Sequence, residues 1–268
     1  LKQDQNTLQK WLIVAEQAAR QAGELVQQKL QQPLELKSKG FRDLVTDSDL
    51  AAQQLIVNMV RENFPNHGFL AEEEDSSLQP GIDGINWIID PIDGTSNYSR
   101  QIPNYSVSIG ISVDDEQGNR EVAVGVIYDP SSEELFSAVR GQGSRVNGRK
   151  MEVSTIDTFS QARLAMDWCR AEAAREKDLQ LLNKLAHRVQ TVRSFGSAAL
   201  GLAWVAAGRL DVYTNHVLSA WDMAAGSLLI TEASGRISDM AGNPVSLTGQ
   251  GDVLATNSHL YRQMLDEL

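Results

Sequence analysis

The sequence predicts an α+β fold, and three observations carry that prediction. Apolar residues recur at helical spacing twice near the start of the chain. The stretch 105–128 then alternates with a period of two on both sides of a turn, the pattern of an antiparallel hairpin. The first half groups helix with helix and strand with strand, unlike a repeated βαβ layout. With 268 residues, 42% of them hydrophobic, the chain can bury a substantial core in one large domain or two smaller lobes.

Each element follows from its own pattern. From about 7 to 32, Leu8, Leu12, Ala15, Ala19, Ala22, Val26 and Leu30 make the apolar stripe of a helix that Pro33 ends. The segment LELKSKGFRDLVTDSD reads as a mobile loop plus a short strand delivering Asp47 and Asp49. Asp49 also suits the start of the next helix, whose stripe is Ala52, Leu55, Ile56, Met59 and Val60 and which Pro65 stops. Phe69 and Leu70 form a short strand running into Glu72, and 75–84 is an exposed connection. Strands follow at 105–113, 121–128 and 135–139, and Asn147-Gly148 is suited to a tight hairpin. The second half reads as a strand at 162–166, a helix at 171–188, a strand at 191–192, a Ser197-capped alanine-rich helix to Ala207 and a strand at 210–213. A helix opening at SAWD comes next. A change of texture near residue 155 divides 1–155 from 156–268 within one compact unit.

The chemistry concentrates in WIIDPIDGTSNYS, residues 87–99. Trp87, Ile88 and Ile89 read as the end of a buried strand, from which Asp90 and Asp93 emerge together. Pro91 cannot continue a ladder, Gly94 accepts unusual backbone angles, and Thr95 with Ser96 can cap a following helix whose first amides form an anion site. Carboxylates beside an anion site fit a hard divalent cation held against a phosphate, and oxygen-only ligands favour magnesium over zinc. An Asp-rich turn that satisfies its own backbone is the plainer alternative. Farther on, Asp222 stands alone in the apolar SAWDMAAG, where it can complement the helix dipole or, if buried, take a metal as partner.

Composition narrows the partners. A formal net charge of −11 argues against nucleic-acid backbones and anionic membranes, which attract basic patches. The single Cys169 excludes an intrachain disulfide and fits a reducing compartment. No apolar run reaches bilayer length and the start has no signal layout, so a cytoplasmic protein is expected.

Taken together, WIIDPIDGTSN and WDMAAGSLLITEASG resemble the two signatures of the inositol monophosphatase family, magnesium-dependent and lithium-sensitive sugar phosphatases. DLVTDSD, AEEE, RGQGSRVNGR and GSAAL extend the likeness along nearly the whole chain. The resemblance implies a layered αβαβα sandwich, a homodimer, and hydrolysis of a small sugar or polyol phosphate of the inositol-1-phosphate type. It implies two or three Mg2+ ions: one on Glu72, Asp90 and the Ile92 carbonyl, one on Asp90, Asp93 and Asp222, and a weaker one near Glu72 and Asp49. Thr95, bonded to Asp49, would orient the attacking water, which makes Asp49, Glu72 and Thr95 the catalytic set. The amides of Gly94 and Thr95 would bind phosphate, with Asp93, Gly196, Ser197 and Ala198 on the substrate side.

Asn215 stands where many members carry a glutamate that contacts ring hydroxyls. Its neighbour His216 is a substrate contact or a packing histidine, and Lys37 or Lys39 could approach phosphate. Histidinol phosphate, fructose 1,6-bisphosphate and nucleotide phosphates remain alternative substrates, and a non-catalytic regulatory or scaffold relative is the rival outside enzymology. The haloacid-dehalogenase type, whose hallmark also ends in DGT, spaces its aspartates differently and places them near the chain's start.

Overall fold

The first helix, α1 (Gln5–Lys29), is opened by Asp4, whose carboxylate accepts the Thr7 amide at 3.0 Å. The computed structural model describes residues 3–32, 36–40, 43–115 and 119–268. Pro33, expected to end α1, lies outside them. Of the segment expected as a loop plus a short strand, the strand is present as β2 (Asp43–Thr46), and in place of the loop β1 (Leu36–Gly40) pairs with it as a hairpin, Leu36 opposite Thr46. Strands this short and polar give no period-two signal to read. Asp47 begins α2 (Asp47–Asn63) directly.

The larger sheet has seven strands paired in chain order. These are β3 (Gly68–Ala71), β4 (Ile85–Asp93), β5 (Ser106–Asp114), β6 (Arg120–Asp129), β7 (Glu134–Val139), β8 (Ser144–Val146) and β9 (Arg149–Met151). A one-turn helix, α3 (Thr95–Tyr98), lies between β4 and β5. Asn147 (φ 47°) and Gly148 (φ 78°) make the two-residue turn between β8 and β9, as their pairing in the sequence predicts.

The second half gives β10 (Arg163–Met166), α4 (Glu172–Leu185), β11 (Thr191–Arg193), α5 (Ala198–Ala206), β12 (Val212–Leu218), α6 (Ala220–Glu232), β13 (Arg236–Ser238), β14 (Gly251–Thr256) and α7 (Tyr261–Leu265). Its sheet runs β11-β10-β12-β14-β13, with β10 parallel to both neighbours and β14 antiparallel to both of its own.

Alternation along the strands assigns the layers. Trp87, Ile89, Ile109, Ile111, Val124 and Val126 pack with α1 and α2 on one face of the large sheet. Ile88, Ile127 and Phe136 face α5 and α6 on the other, and that same core takes in Ala165, Tyr213 and Val253 of the small sheet. On the far side Leu164, Met166, Val212 and Leu254 meet Leu181 and Leu185 of α4 and Met264 of α7. The order is helices, sheet, helices, sheet, helices, the αβαβα sandwich that the sequence motifs imply. Small residues allow the middle layer to sit close: a Cβ on Gly125 would lie 2.7 Å from the Ala225 carbonyl oxygen of α6.

Candidate active site

The carboxylates of the central motif share a side of β4 because the strand carries one residue too many. Asp90 pairs with Ser108 and Asp93 with Ser106, so three steps on β4 face two on β5. In a regular strand residues three apart point to opposite faces; the bulge brings them to the same one. This corrects the expectation that Pro91 ends the ladder. Pro91 falls inside the register break, where no ladder hydrogen bond is required of it, and the strand resumes at Asp93.

Asp93 is held by a distant helix. Its carboxylate accepts the Ser197 hydroxyl and the backbone amides of Ala198 at 3.2 Å and Ala199 at 2.9 Å, the opening of α5. Ser197, the N-cap of α5, is thus turned toward Asp93, while Gly196 and Ala198 line the adjoining cavity. Asp222 occupies the third position of α6 and accepts the Ser219 amide at 2.6 Å, a capping interaction that fixes its carboxylate. Asp90, Asp93 and Asp222 converge, each with one oxygen in a group whose members all lie within 4.8 Å of one another. Glu72 follows β3, its amide donating to the Ile89 carbonyl at 3.1 Å, and it reaches Asp90 through its charge and a side-chain hydrogen bond.

Packing acids together out of water disfavours their charged forms. Asp90 is pushed well above the usual carboxylate range by burial first and then by Glu72, Asp93 and Asp222. Asp93 rises to about 7 through burial and the charge of Asp222, and Asp222 to about 6 through burial. A divalent cation removes this penalty. The donor set, carboxylate oxygens with the Ile92 carbonyl beside them, matches a hard ion.

Asp49 lies a step away. It is fully buried, at the third position of α2, where its Oδ2 accepts the Thr46 amide at 2.8 Å and its Oδ1 faces the Thr95 hydroxyl at 3.2 Å. That hydroxyl is also 3.0 Å from the Ile92 carbonyl oxygen, so its one proton serves one acceptor at a time. Burial lifts Asp49 to about 6. Thr95 does not cap α3, as the sequence suggests; Gly94 takes that position with φ 97°, where a Cβ would sit 3.0 Å from the Asn104 carbonyl and 3.1 Å from that of Gly196. Asp47 pairs with Lys29 instead of joining the acids.

These groups open onto a cavity of about 1100 Å³ that takes in Glu72, Asp90, Asp93, Gly94, Thr95 and Asp222. Asn215 also lines it, its Oδ1 accepting the Val217 amide at 2.9 Å and the Cys169 thiol at 3.1 Å. His216 lies off the cavity with its Nδ1 2.7 Å from Asp178 of α4, a packing role. Lys37 is exposed, and the Lys39 side chain lies outside the described residues.

Sequence reasoning missed the segment after β10. Asp167 accepts the amides of Phe195 and Gly196, both at 2.7 Å, and so shapes the loop before α5. Trp168, Arg170 and Arg175 line the same cavity. The signal for the first of them was positional: Asp167 to Arg170 come straight after the C-terminal end of β10, as Glu72 does after β3. Asn97 also escaped notice; its amide donates to the carbonyls of Asn104 at 2.8 Å and Phe195 at 2.7 Å, joining the motif to the second half.

The sequence pattern of the inositol monophosphatase family matches residues 7–268. The chain belongs to the inositol monophosphatase family. It is 38% identical over 258 residues to the Nus factor SuhB of Escherichia coli (strain K12), covering 95% of this chain and 94% of that protein. It is 35% identical to the inositol-1-monophosphatase of Bacillus subtilis (strain 168) over 95% of this chain and 94% of its relative. Among solved structures, the extragenic suppressor protein SuhB of Bartonella henselae superposes with a TM-score of 0.89 at 33% identity, over 96% of this chain and 98% of that one. As an inositol monophosphatase family member the protein is a phosphoric monoester hydrolase. The family is metal-dependent and acts on small phosphate esters, and the acid cluster is where a metal can bind. No helix among the described residues is long and apolar enough to cross a membrane.

Proposed function

We propose that the protein is a magnesium-dependent phosphatase of small sugar or polyol phosphates, of the inositol-1-phosphate type, in which water attacks phosphorus directly. The convergence of Asp90, Asp93 and Asp222 carries this reading. These three acids with Glu72 and the Ile92 carbonyl would hold two or three Mg2+ ions, which supply charge neutralisation at the phosphoryl oxygens and a lowered pKa for water. Asp49 keeps the Thr95 hydroxyl oriented and takes up a proton as water attacks; a carboxyl raised to about 6 by burial is suited to that at neutral pH. The Gly94 and Thr95 amides bind the phosphate. Asp93, with Ser197 and Ala198 fixing its carboxylate, faces the substrate side together with Gly196, and Asn215 meets the leaving alcohol. Its Oδ1 is taken by the Val217 amide and the Cys169 thiol, so Asn215 meets that alcohol through its Nδ2, as a donor, where a glutamate could only accept.

Lithium sensitivity, a cytoplasmic location and a homodimeric state belong to the same reading. Phosphate release from inositol 1-phosphate, measured with magnesium and again with excess chelator, tests it; the rate should vanish with chelator, and release that persists would overturn it. The likeness to a Nus factor supports a second reading, a regulatory or scaffold role in place of catalysis. In that case the purified protein releases no phosphate from any of these esters.

A further inference from the structure

The cavity that holds the acids also carries cations. Among its lining residues the positive side chains are Arg170 and Arg175, both supplied by the segment between β10 and the first turn of α4. In a chain of net charge −11 they share that lining with Glu72, Asp90, Asp93 and Asp222.

The two arginines are not equivalent. Arg170 interacts electrostatically with Asp222 and so belongs with the acids. Arg175 is half-buried, and its Nε donates to the Cys169 carbonyl at 2.6 Å, which pins the guanidinium against the cavity wall. No carboxylate among the described residues forms an ion pair with it. A pinned, partly desolvated guanidinium keeps terminal N–H donors suited to an anionic oxygen pair. Trp168, 41% exposed, lines the same cavity and offers an indole surface to the ring of an ester.

We infer that the substrate is a phosphate ester whose alcohol half carries a second anionic group, with Arg175 receiving that group while the acid cluster handles the scissile phosphate. This rests on the phosphatase reading and narrows it: the cavity selects a doubly anionic ester over the matching single one. Arg170 adds to the local positive potential, and Arg175 supplies the directed hydrogen bonds.

The test compares inositol 1-phosphate with inositol 1,4-bisphosphate, one ring with and without a second phosphate on its far side, at fixed magnesium and ionic strength. The wild-type protein should show kcat/KM at least about tenfold higher for the bisphosphate, the worth of one charge-assisted hydrogen-bonded contact, expressed in KM. Arg175→Gln should remove most of that ratio, and Arg175→Lys, which keeps the charge, should retain part of it. Equal kcat/KM for the two esters in the wild type, a comparison that needs no variant, would overturn the inference while leaving the phosphatase reading intact. So would an unchanged ratio in Arg175→Gln. Hydrolysis of neither ester would overturn both.

Discussion

Asp49 and Asp222 are the same local object used twice. Each is the third residue of its helix, and each accepts the backbone amide of the residue before that helix, Thr46 at 2.8 Å and Ser219 at 2.6 Å. Burial lifts both to about 6. What differs is the opposite wall. Asp222 looks onto Asp90 and Asp93 and joins a cluster that calls for a cation, whereas Asp49 looks onto the Thr95 hydroxyl. A capping carboxylate presents an oriented acid at a helix start, and in the function proposed above the partner across the gap decides whether it serves a metal or a proton.

The largest expected effect separates these roles. Asp222→Asn keeps an acceptor for the Ser219 amide but loses a metal charge, so magnesium-dependent phosphate release should fall about a thousandfold or more, with the melting temperature of metal-free protein held or raised. Asp49→Asn should lower kcat about a hundredfold, in the range of a lost proton acceptor, with the magnesium concentration for half-activation unchanged. If that concentration rises as much as it does in Asp222→Asn, the contrast is wrong and Asp49 is a metal ligand.

Thermal melting of the chelator-treated protein against pH sharpens the comparison. Asp49 and Asp222, at about 6, and Asp93, at about 7, lie above the 3.8 of an ordinary Asp. The folded chain therefore binds more protons than the unfolded one over that interval, and the stability these groups leave intact below pH 3.8 is lost as pH rises through about 6 to 7. Magnesium should cancel the part due to Asp93 and Asp222 and leave the part due to Asp49; a pH-independent melting temperature without metal would refute this account. The smallest effect is that of Ser197→Ala, about 1 kcal/mol of stability from the lost cap of α5, read by urea unfolding, together with a shift of half-activation to higher magnesium concentration because Asp93 loses a donor that orients it.

Much of this was legible because it is local. The helix starts at TDSD and SAWD, the Asn147-Gly148 turn and the alternating strands follow from neighbours in sequence, and their residues fall where the patterns put them. What escaped was set from afar. Ser197 and Ala198 read as substrate-side residues, yet both donate to Asp93, about a hundred positions earlier, a link that exists only once α5 is packed between the sheets. The bulge at Pro91 was hidden because a proline after a strand reads as its end, and only pairing with β5 reveals that the ladder resumes. Strands β13 and β14 and helix α7 went unread: a three-residue strand and a five-residue helix carry too little periodicity, and β14 ends in a buried run that lacks alternation.

The way α5 grips Asp93 limits what that acid can still give. One of its oxygens receives both the Ser197 hydroxyl and the Ala199 amide, which fills its lone pairs, while the other receives the Ala198 amide alone. Asp93 is left with a single open coordination point and can bind an ion through one oxygen but not straddle it with two. An ion held there would keep more of its coordination for exchangeable water and for the ester, which suits a site that must release its product after every turnover.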